Sequence, residues 1–242
     1  MNFRLRRSTL RGLLKTTGFV AIAAVVFGGV FIISPRGQAF DGEHEEDRDP
    51  RIQQGLAIAP VPLNLEGKNR ALVGLGSYIM NAGSDCNSCH TLNPGAEFVA
   101  GRNPYLLDQR RAKVNPAVYL GGGNDFGTLD PDGLSAHIIS RNLTPDKTGL
   151  PEGGATFEEF LEHIRKGKDT DGWHPTCTGA LGPNCVPPPF DGTKLQIMPW
   201  PTYVKMTDHD LRAIYEYLKA IPCLEGDPGN PAGADTFGHR CK

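Results

Sequence analysis

The amino-acid sequence predicts a mainly helical domain with long irregular insertions, preceded by a separate apolar segment at the N-terminus. Three stretches, around residues 69–90, 156–168 and 207–222, repeat apolar residues at the spacing of amphipathic helices. The connections between these stretches are rich in turn-forming residues, and the chain of 242 residues holds 30 glycines and 20 prolines. About 200 residues follow the apolar segment, which is enough for one domain with its own core.

The N-terminal segment, residues 1–39, has the pattern of a targeting or anchoring sequence. Five basic residues precede residues 18–33, a run of 16 uncharged and mostly apolar residues. This length suits either an export signal peptide, cleaved near Gly37 and Ala39, or an uncleaved transmembrane anchor. The basic flank predicts that the N-terminus stays in the cytoplasm. We therefore expect a single-pass protein of the bacterial inner membrane with a periplasmic domain, or a periplasmic protein if the signal is cleaved.

The remainder of the chain is acidic. Residues 1–39 contain six of the 25 basic residues and no acidic residue, so 19 basic and 27 acidic residues remain, a formal charge of −8. An acidic surface favours solubility, or attracts a redox partner with a basic docking patch. We interpret residues 40–68 as a linker, residues 69–222 as the domain and residues 223–242 as a tail. The sequence shows no sign of nucleic-acid binding, a phosphate-binding loop or a hydrolytic triad.

The most informative motif is Cys-x-x-Cys-His at Cys86–His90, the pattern to which a c-type haem is attached. Cys86 and Cys89 can each add to one vinyl group of the same porphyrin, and the imidazole of His90 can ligate the iron. A redox dithiol or half of a zinc site would also use Cys-x-x-Cys. However, no βαβ pattern surrounds the motif, and the other four cysteines form no second such pair. We expect one covalently attached haem c.

The predicted helices have recognisable ends. The first runs from residue 69 into the haem motif, and its Gly74 and Gly76 suit a close crossing with another helix. Thr156 begins the second as the N-cap of a capping box, and a glycine ends it at position 167. The third begins after Thr207 and ends before Pro222. Residues 100–143 are predicted to be an insertion of turns with a short strand at 136–140.

A six-coordinate haem needs a second axial ligand, for which Met198 is the leading candidate. Met1 belongs to the N-terminal segment, and we assign Met80 and Met206 to the packing of helices. Met198 lies in a proline-rich loop, Ile-Met-Pro-Trp-Pro, between the second and third helices, where a rigid backbone can direct its thioether at the iron. His137 and His174, both in predicted loops, remain rival ligands.

These pieces together resemble class I cytochrome c domains and, more closely, the haem domains of cytochrome c subunits of membrane-bound alcohol and gluconate dehydrogenases. The matching segments are Gly76-Ser77-Tyr78 and residues 86–101, 141–150, 156–169 and 198–222. The resemblance implies an all-α, cytochrome c-like fold with long loop insertions. It also implies that the first and third helices cross, with Gly74 or Gly76 against Tyr215 and Leu218.

The resemblance further implies a set of haem-binding residues. Two cysteines form thioether bonds, a histidine and a methionine ligate the iron, and three residues lie near the haem edge, where they can bond a propionate. In that order, these residues are Cys86 and Cys89, His90 and Met198, and Arg141, Asn142 and Thr144.

The leading functional hypothesis is therefore a monohaem electron carrier that is not itself an enzyme. The iron would alternate between Fe(III) and Fe(II) with His/Met ligation, passing single electrons between protein partners at the periplasmic side of the membrane. One alternative is a haem-bearing subunit of a larger dehydrogenase, respiratory or photosynthetic complex. Another is a haem enzyme or gas sensor with an open sixth coordination position.

The four remaining cysteines are expected to form two disulfides in the oxidising periplasm. Three pairings are possible. We favour Cys177 with Cys185 and Cys223 with Cys241, because both close local loops. The first would stiffen the segment before Met198, and the second would tie the tail to the third helix.

Overall fold

Helices dominate the structure, a computed structural model that describes residues 49–170, 174–225 and 239–242. The helices are α1 Pro50–Ile58, α2 Arg70–Tyr78, α3 Cys86–His90, α4 Pro151–Gly154, α5 Phe157–Lys166, α6 Trp200–Tyr203 and α7 Asp208–Leu218. Two short strands, β1 Asp125–Thr128 and β2 His137–Ile139, pair in antiparallel fashion. The mainly helical class is thus confirmed, with this small sheet added in the insertion. The predicted N-terminal signal or anchor lies outside the described residues, and no helix within them is long and apolar enough to cross a membrane.

The first predicted helix is divided in two before the haem motif. Asn69 caps α2, accepting hydrogen bonds from the backbone N–H groups of Ala71 and Leu72. A π-helical turn, Ile79–Gly83, follows, and the extended backbone of Ser84 then ends the helix. The Cys-x-x-Cys-His motif consequently forms a short helix of its own, α3.

The backbone of helix α2 lies in direct contact with the backbones of α1 and α7. A Cβ atom added to Gly76 would lie 2.0 Å from the carbonyl oxygen of Ala213 and 2.7 Å from Cβ of Tyr217 in α7. A Cβ atom on Gly74 would lie 2.6 Å from the carbonyl oxygen of Ile52 in α1. Each glycine therefore removes the side chain that would keep a neighbouring helix away.

The predicted crossing of the first and third helices is present, although its contact residues differ from those expected. Gly76 contacts Ala213 and Tyr217 rather than Tyr215 and Leu218. Tyr215 instead packs edge-on against Phe157 of α5, with ring centroids 5.3 Å apart, and its hydroxyl donates to the carbonyl of Ala155. The face of α7 that bears Tyr215 is thus used by α5.

Part of the segment interpreted as a linker is folded. Residues 50–58 form α1, which Asp49 caps by accepting from the backbone N–H of Arg51. The helix packs on α2 so closely that a Cβ atom on Gly55 would lie 1.9 Å from the carbonyl oxygen of Gly74. Helix α1 was not predicted because the residues before it are highly charged and its contact surface is small.

The predicted caps and disulfides are present. Thr156 and Glu159 form the capping box of α5, Gly167 ends that helix in the left-handed conformation, and Thr207 caps α7. Cys177 is bonded to Cys185 and Cys223 to Cys241. Both disulfide predictions are confirmed, and Cys86 and Cys89 are left as free thiols.

Candidate haem site

A cavity of about 420 Å³ brings together five of the residues predicted to bind haem: Cys86, Cys89, His90, Arg141 and Met198. Most of its remaining wall is apolar. That part of the wall includes Met80, Leu143, Phe160, Ile164, Leu211, Ile214 and Leu218. The cavity is therefore formed where α3, α5 and α7 meet the insertion of residues 100–143 and the segment between α5 and α6.

His90 is oriented by a hydrogen bond to the backbone. Its Nδ1 atom lies 2.8 Å from the carbonyl oxygen of Arg141, and because a carbonyl can only accept, Nδ1 carries the proton. This tautomer leaves the lone pair of Nε2 available for a metal. Burial also lowers the pKa of His90, which favours the neutral imidazole that ligates iron.

The two thiols of the motif lie in the same wall. Burial raises the pKa of the Cys86 thiol to about 11, so it is protonated at neutral pH. Its Sγ atom lies 3.7 Å from the hydroxyl of Ser84. Cys89 is half-buried beside Ser88. Both thiols are thus reduced and available for thioether formation.

Helix α3 is held in place by the residues between its cysteines and by the chain after it. Asn87, which is buried, accepts from the backbone N–H of Leu120 at 3.0 Å and donates to the carboxylate of Glu97 at 3.3 Å. The hydroxyl of Thr91 donates to the carbonyl of Val118. The insertion that follows the motif therefore supports the motif itself.

Gly122 lies between the helix α3 and Arg141, the residue whose carbonyl bonds the imidazole of His90. Its N–H donates to the carbonyl of His90 at 2.7 Å, and its backbone is left-handed, with φ of 68°. A Cβ atom at this position would lie 2.3 Å from the carbonyl carbon of Arg141. Glycine is needed here both for its φ angle and for the close approach of the two backbones.

The loop that carries Met198 is fastened to the end of α5. The N–H of Leu195 donates to the carbonyl of Gly167 at 2.7 Å, and the N–H of Asp169 donates to Thr193 at 2.9 Å. Gly167 also lies against the indole of Trp200, where a Cβ atom would be 2.1 Å from Cε2. Met198 is half-buried between these anchors and faces the cavity.

The three residues predicted at the haem edge separate into two groups. Arg141 lines the cavity and forms an ion pair with Asp169, with 2.7 Å between Nη2 and Oδ1. Asn142 and Thr144 do not line the cavity; they hold the C-terminal segment instead. Asn142 Nδ2 donates to the carbonyl of Leu224 at 2.7 Å, and the Thr144 hydroxyl accepts from the N–H of Leu224 at 3.0 Å. Both side chains are thus engaged with the C-terminal segment, and their role at a propionate stays a prediction.

A buried polar group in the cavity wall was missed by the sequence analysis. His163, only 3% exposed, places Nδ1 2.7 Å from Glu152 Oε2 and Nε2 2.9 Å from the hydroxyl of Thr170. Burial raises the pKa of Glu152, but the hydrogen bond from His163 and the nearby charge of Arg141 outweigh it and leave this pKa below its ordinary value. The spacing of His163 from Phe160, three positions, is the signal that could have placed it on the apolar face of α5.

The rival ligands also line the cavity. His137, on β2, is about half exposed, and its Nδ1 atom lies 2.7 Å from Asp125 Oδ2. His174 is half-buried, and burial lowers its pKa. The hydrogen bond to Asp125 engages one nitrogen of His137, while no polar atom within the described ranges forms a hydrogen bond with the sulfur of Met198.

The residues present fit a covalently bound haem. Two free thiols, an imidazole with a free Nε2 and a thioether line one largely apolar cavity, and Arg141 supplies a positive charge in its wall. A c-type haem is attached through two cysteine thiols, and imidazole and thioether groups are ligands of its iron.

Comparison with known proteins gives relatives of one kind. The chain is 28% identical over 151 residues to the gluconate 2-dehydrogenase cytochrome c subunit of Pantoea cypripedii, covering 62% of this chain and 23% of the relative. It is 29% identical over 165 residues to the cytochrome c subunit of a quinone alcohol dehydrogenase of Gluconacetobacter polyoxogenes, covering 68% and 24%. A fructose dehydrogenase cytochrome subunit of Gluconobacter japonicus is 26% identical over 151 residues, covering 62% and 21%.

The match is limited in length. The chain spans less than a quarter of the length of these curated relatives. No family model and no solved structure matches it. The predicted resemblance is nevertheless confirmed: the chain is similar to the cytochrome c subunits of gluconate and alcohol dehydrogenases.

Proposed function

We propose that this chain is a monohaem c-type cytochrome that transfers single electrons as the haem-bearing subunit of a membrane-associated dehydrogenase. The observation that carries the proposal is the meeting of Cys86, Cys89, His90 and Met198 on one apolar cavity. The relatives, all of them dehydrogenase subunits, favour a subunit over a carrier that works alone. The predicted signal or anchor supports a site of action at the periplasmic face of the inner membrane.

Each residue has a distinct part in this proposal. Cys86 and Cys89 would hold the group covalently, while His90, oriented by the carbonyl of Arg141, and Met198 would supply ligands to its iron. Arg141 offers its guanidinium to a propionate. The bound haem supplies a centre that gains and loses one electron, and the apolar wall excludes water from it. We accordingly propose a cytochrome c-like fold with one haem.

The experiment that tests the ligation compares Met198→Leu with Met206→Leu in the purified holo-protein. Both side chains line the cavity and are half-buried, so the two substitutions are matched in size and setting. We expect the oxidised wild type and Met206→Leu to be low-spin and to show the weak red absorption band of methionine bound to Fe(III). Met198→Leu should lose the band. A wild type that is high-spin, or a Met198→Leu protein that keeps the band, would refute the assignment.

A second candidate function, a freely diffusing electron carrier, is favoured by the single haem motif of this chain. Purification in mild detergent separates the two candidates. A dehydrogenase that co-purifies in stoichiometric amount supports the subunit. A lone protein that exchanges electrons with several partners, and does so more slowly in high salt, supports the carrier.

A further inference from the structure

The loop of residues 102–113 has a charge opposite to that of its surroundings. It holds Arg102, Arg110, Arg111 and Lys113 against the single acid Asp108, a formal charge of +3. Because residues 40–242 total −8, the rest of that range carries −11. Arg110, Arg111 and Lys113 are exposed, and no carboxylate in the described ranges forms an ion pair with any of the four cations. The loop is therefore a concentrated basic site on an acidic protein.

The same loop has an exposed apolar tip. Tyr105, Leu106 and Leu107 are consecutive, with 84%, 59% and 91% of their surfaces exposed. Isolated apolar side chains are common on protein surfaces, but three exposed ones in succession are not. The tip lies between the cations in sequence, with Arg102 before it and the others after it.

The two arms of the loop are joined by hydrogen bonds, and the ring of Tyr105 lies edge-on to Phe98, with centroids 6.2 Å apart. The N–H of Val99 donates to the carbonyl of Lys113, and the N–H of Lys113 donates to Arg102. The side chain of Arg102 also donates from Nε to the carbonyl of Arg111 at 2.6 Å. These bonds close the base of the loop and leave its apolar tip facing solvent.

The base of the loop is connected directly to the haem motif. The N–H of Asn115 donates to the carbonyl of Glu97 at 2.8 Å, and the carboxylate of Glu97 accepts from Asn87, between the two haem-binding cysteines. A contact made by the loop would thus fix the orientation of the cavity.

We propose that residues 102–113 bind the surface of an anionic phospholipid bilayer, independently of the N-terminal segment. Tyr105, Leu106 and Leu107 enter the boundary between head groups and acyl chains, where tyrosine and apolar side chains are favoured. The four cations pair with lipid phosphates behind the tip. The other residues of 40–242 carry a formal charge of −11 and are repelled by the same lipids, so we expect the protein to turn this loop toward them.

The shape of the loop favours a bilayer over a protein partner. A specific protein interface covers about 800 Å² on each partner, with an apolar centre and a polar rim on one broad surface. Three exposed apolar side chains on a loop of twelve residues do not provide such a surface. A bilayer needs no complementary shape and accepts a few apolar side chains that are flanked by cations in the sequence.

The test uses a nitroxide label in the full-length, haem-loaded protein kept oxidised, because a reductant would destroy the nitroxide, and each accessibility is measured relative to the same sample without reagent. The label is placed at Leu107→Cys or, as control, at Leu134→Cys, another apolar side chain that is 55% exposed. The protein is reconstituted in vesicles of phosphatidylethanolamine and phosphatidylglycerol. We expect the label at 107 to gain accessibility to oxygen and to lose accessibility to a water-soluble nickel complex several-fold, while the label at 134 stays water-exposed.

A charge variant and a change of lipid complete the test. In vesicles of phosphatidylcholine alone, the label at 107 should regain its accessibility to the nickel complex. The triple variant Arg110→Glu, Arg111→Glu and Lys113→Glu should have the same effect in anionic vesicles. The proposal is overturned if the label at 107 is as accessible to the nickel complex as the label at 134 in anionic vesicles. It is equally overturned if the label at 107 is shielded from both reagents by a co-purified protein.

Discussion

The Nδ1 atom of His90 lies 2.8 Å from the carbonyl oxygen of Arg141, a residue 51 positions further along the chain. The imidazole is therefore oriented by a peptide group of the insertion rather than by its own helix. That peptide group lies in turn against the Cα atom of Gly122. The ligand geometry thus depends on the contact between two loop segments.

The first prediction concerns Gly122→Ala. A left-handed backbone with a Cβ atom costs about 1–2 kcal/mol, and the overlap with the Arg141 peptide adds about 1–3 kcal/mol. Displacing that peptide also lengthens the hydrogen bond to His90. We expect a lower thermal unfolding temperature of the holo-protein and a changed electron paramagnetic resonance spectrum of the oxidised haem.

The matched control is Gly133→Ala. Gly133 has nearly the same φ, 69°, but an added Cβ atom would have nothing within 4 Å. This variant should lose only the backbone contribution to the free energy of unfolding, and its haem spectrum should not change. Equal losses in the two variants would show that Gly122 serves only the turn.

The second prediction concerns the buried Glu152–His163 pair. Glu152→Gln removes the charge that accepts the hydrogen bond from Nδ1 of His163, and we expect a loss of about 1.5–3 kcal/mol. Asp125→Asn is the control, because Asp125 and His137 make the same kind of contact, also at 2.7 Å, on the surface. The exposed pair should contribute less than about 1 kcal/mol. Urea unfolding at neutral pH measures both losses.

The same pair predicts how stability changes with acid. Because the pKa of Glu152 is lowered in the folded protein, the unfolded chain binds a proton that the folded protein does not. The resulting stabilisation is complete above the ordinary carboxyl value of about 4.3 and is lost as the pH falls through the folded pKa. The free energy of unfolding of Glu152→Gln should therefore fall less steeply with acid than that of the wild type. Parallel curves would contradict this.

The third prediction concerns the crossing of α2 and α7. Gly76→Ala places a methyl group 2.0 Å from the carbonyl oxygen of Ala213, where neither backbone can move without separating the helices. We expect a loss of about 3 kcal/mol or more. Gly83→Ala, where a Cβ atom meets nothing within 4 Å, should be close to neutral. A calorimetric scan of the two variants distinguishes them, and a stable Gly76→Ala protein would argue against this packing.

The fourth prediction compares the two disulfides. Their partners are 8 and 18 positions apart, so loop-closure entropy assigns them about 2.5 and about 3 kcal/mol. Replacing Cys177 and Cys185 together by alanine should also weaken the methionine–iron band, because that loop leads to Met198. The corresponding change at Cys223 and Cys241 should lower stability but preserve the band. The red absorption band and the unfolding midpoint, measured on the same samples, test both statements.

The sequence predicted well what short-range patterns encode. The haem motif has a fixed spacing, and the caps at Thr156 and Thr207 are signalled within four residues. Both disulfides close local loops and followed from proximity along the chain. The mainly helical class followed from the three amphipathic segments.

The remainder depends on contacts between distant segments. The hydrogen bond between His90 and Arg141 has no local signal, and neither does the pairing of Glu152 with His163. Asn142 and Thr144 lie one and three positions beyond a cavity residue, yet they turn toward Leu224. Helix α1 was read as a linker because backbone contact through Gly55 needs few apolar side chains.

The hydrogen-bonded polar groups in the cavity wall have a consequence for the speed of the proposed electron transfer. Arg141 is bonded to Asp169, and His163 is held at both ring nitrogens. When the charge of a buried centre changes by one unit, polar groups that are free to swing must rearrange, and this rearrangement is part of the activation barrier. Groups whose dipoles are already committed to partners rearrange little. The rate of transfer through this protein should then be governed by the distance to its partner rather than by relaxation of the cavity wall.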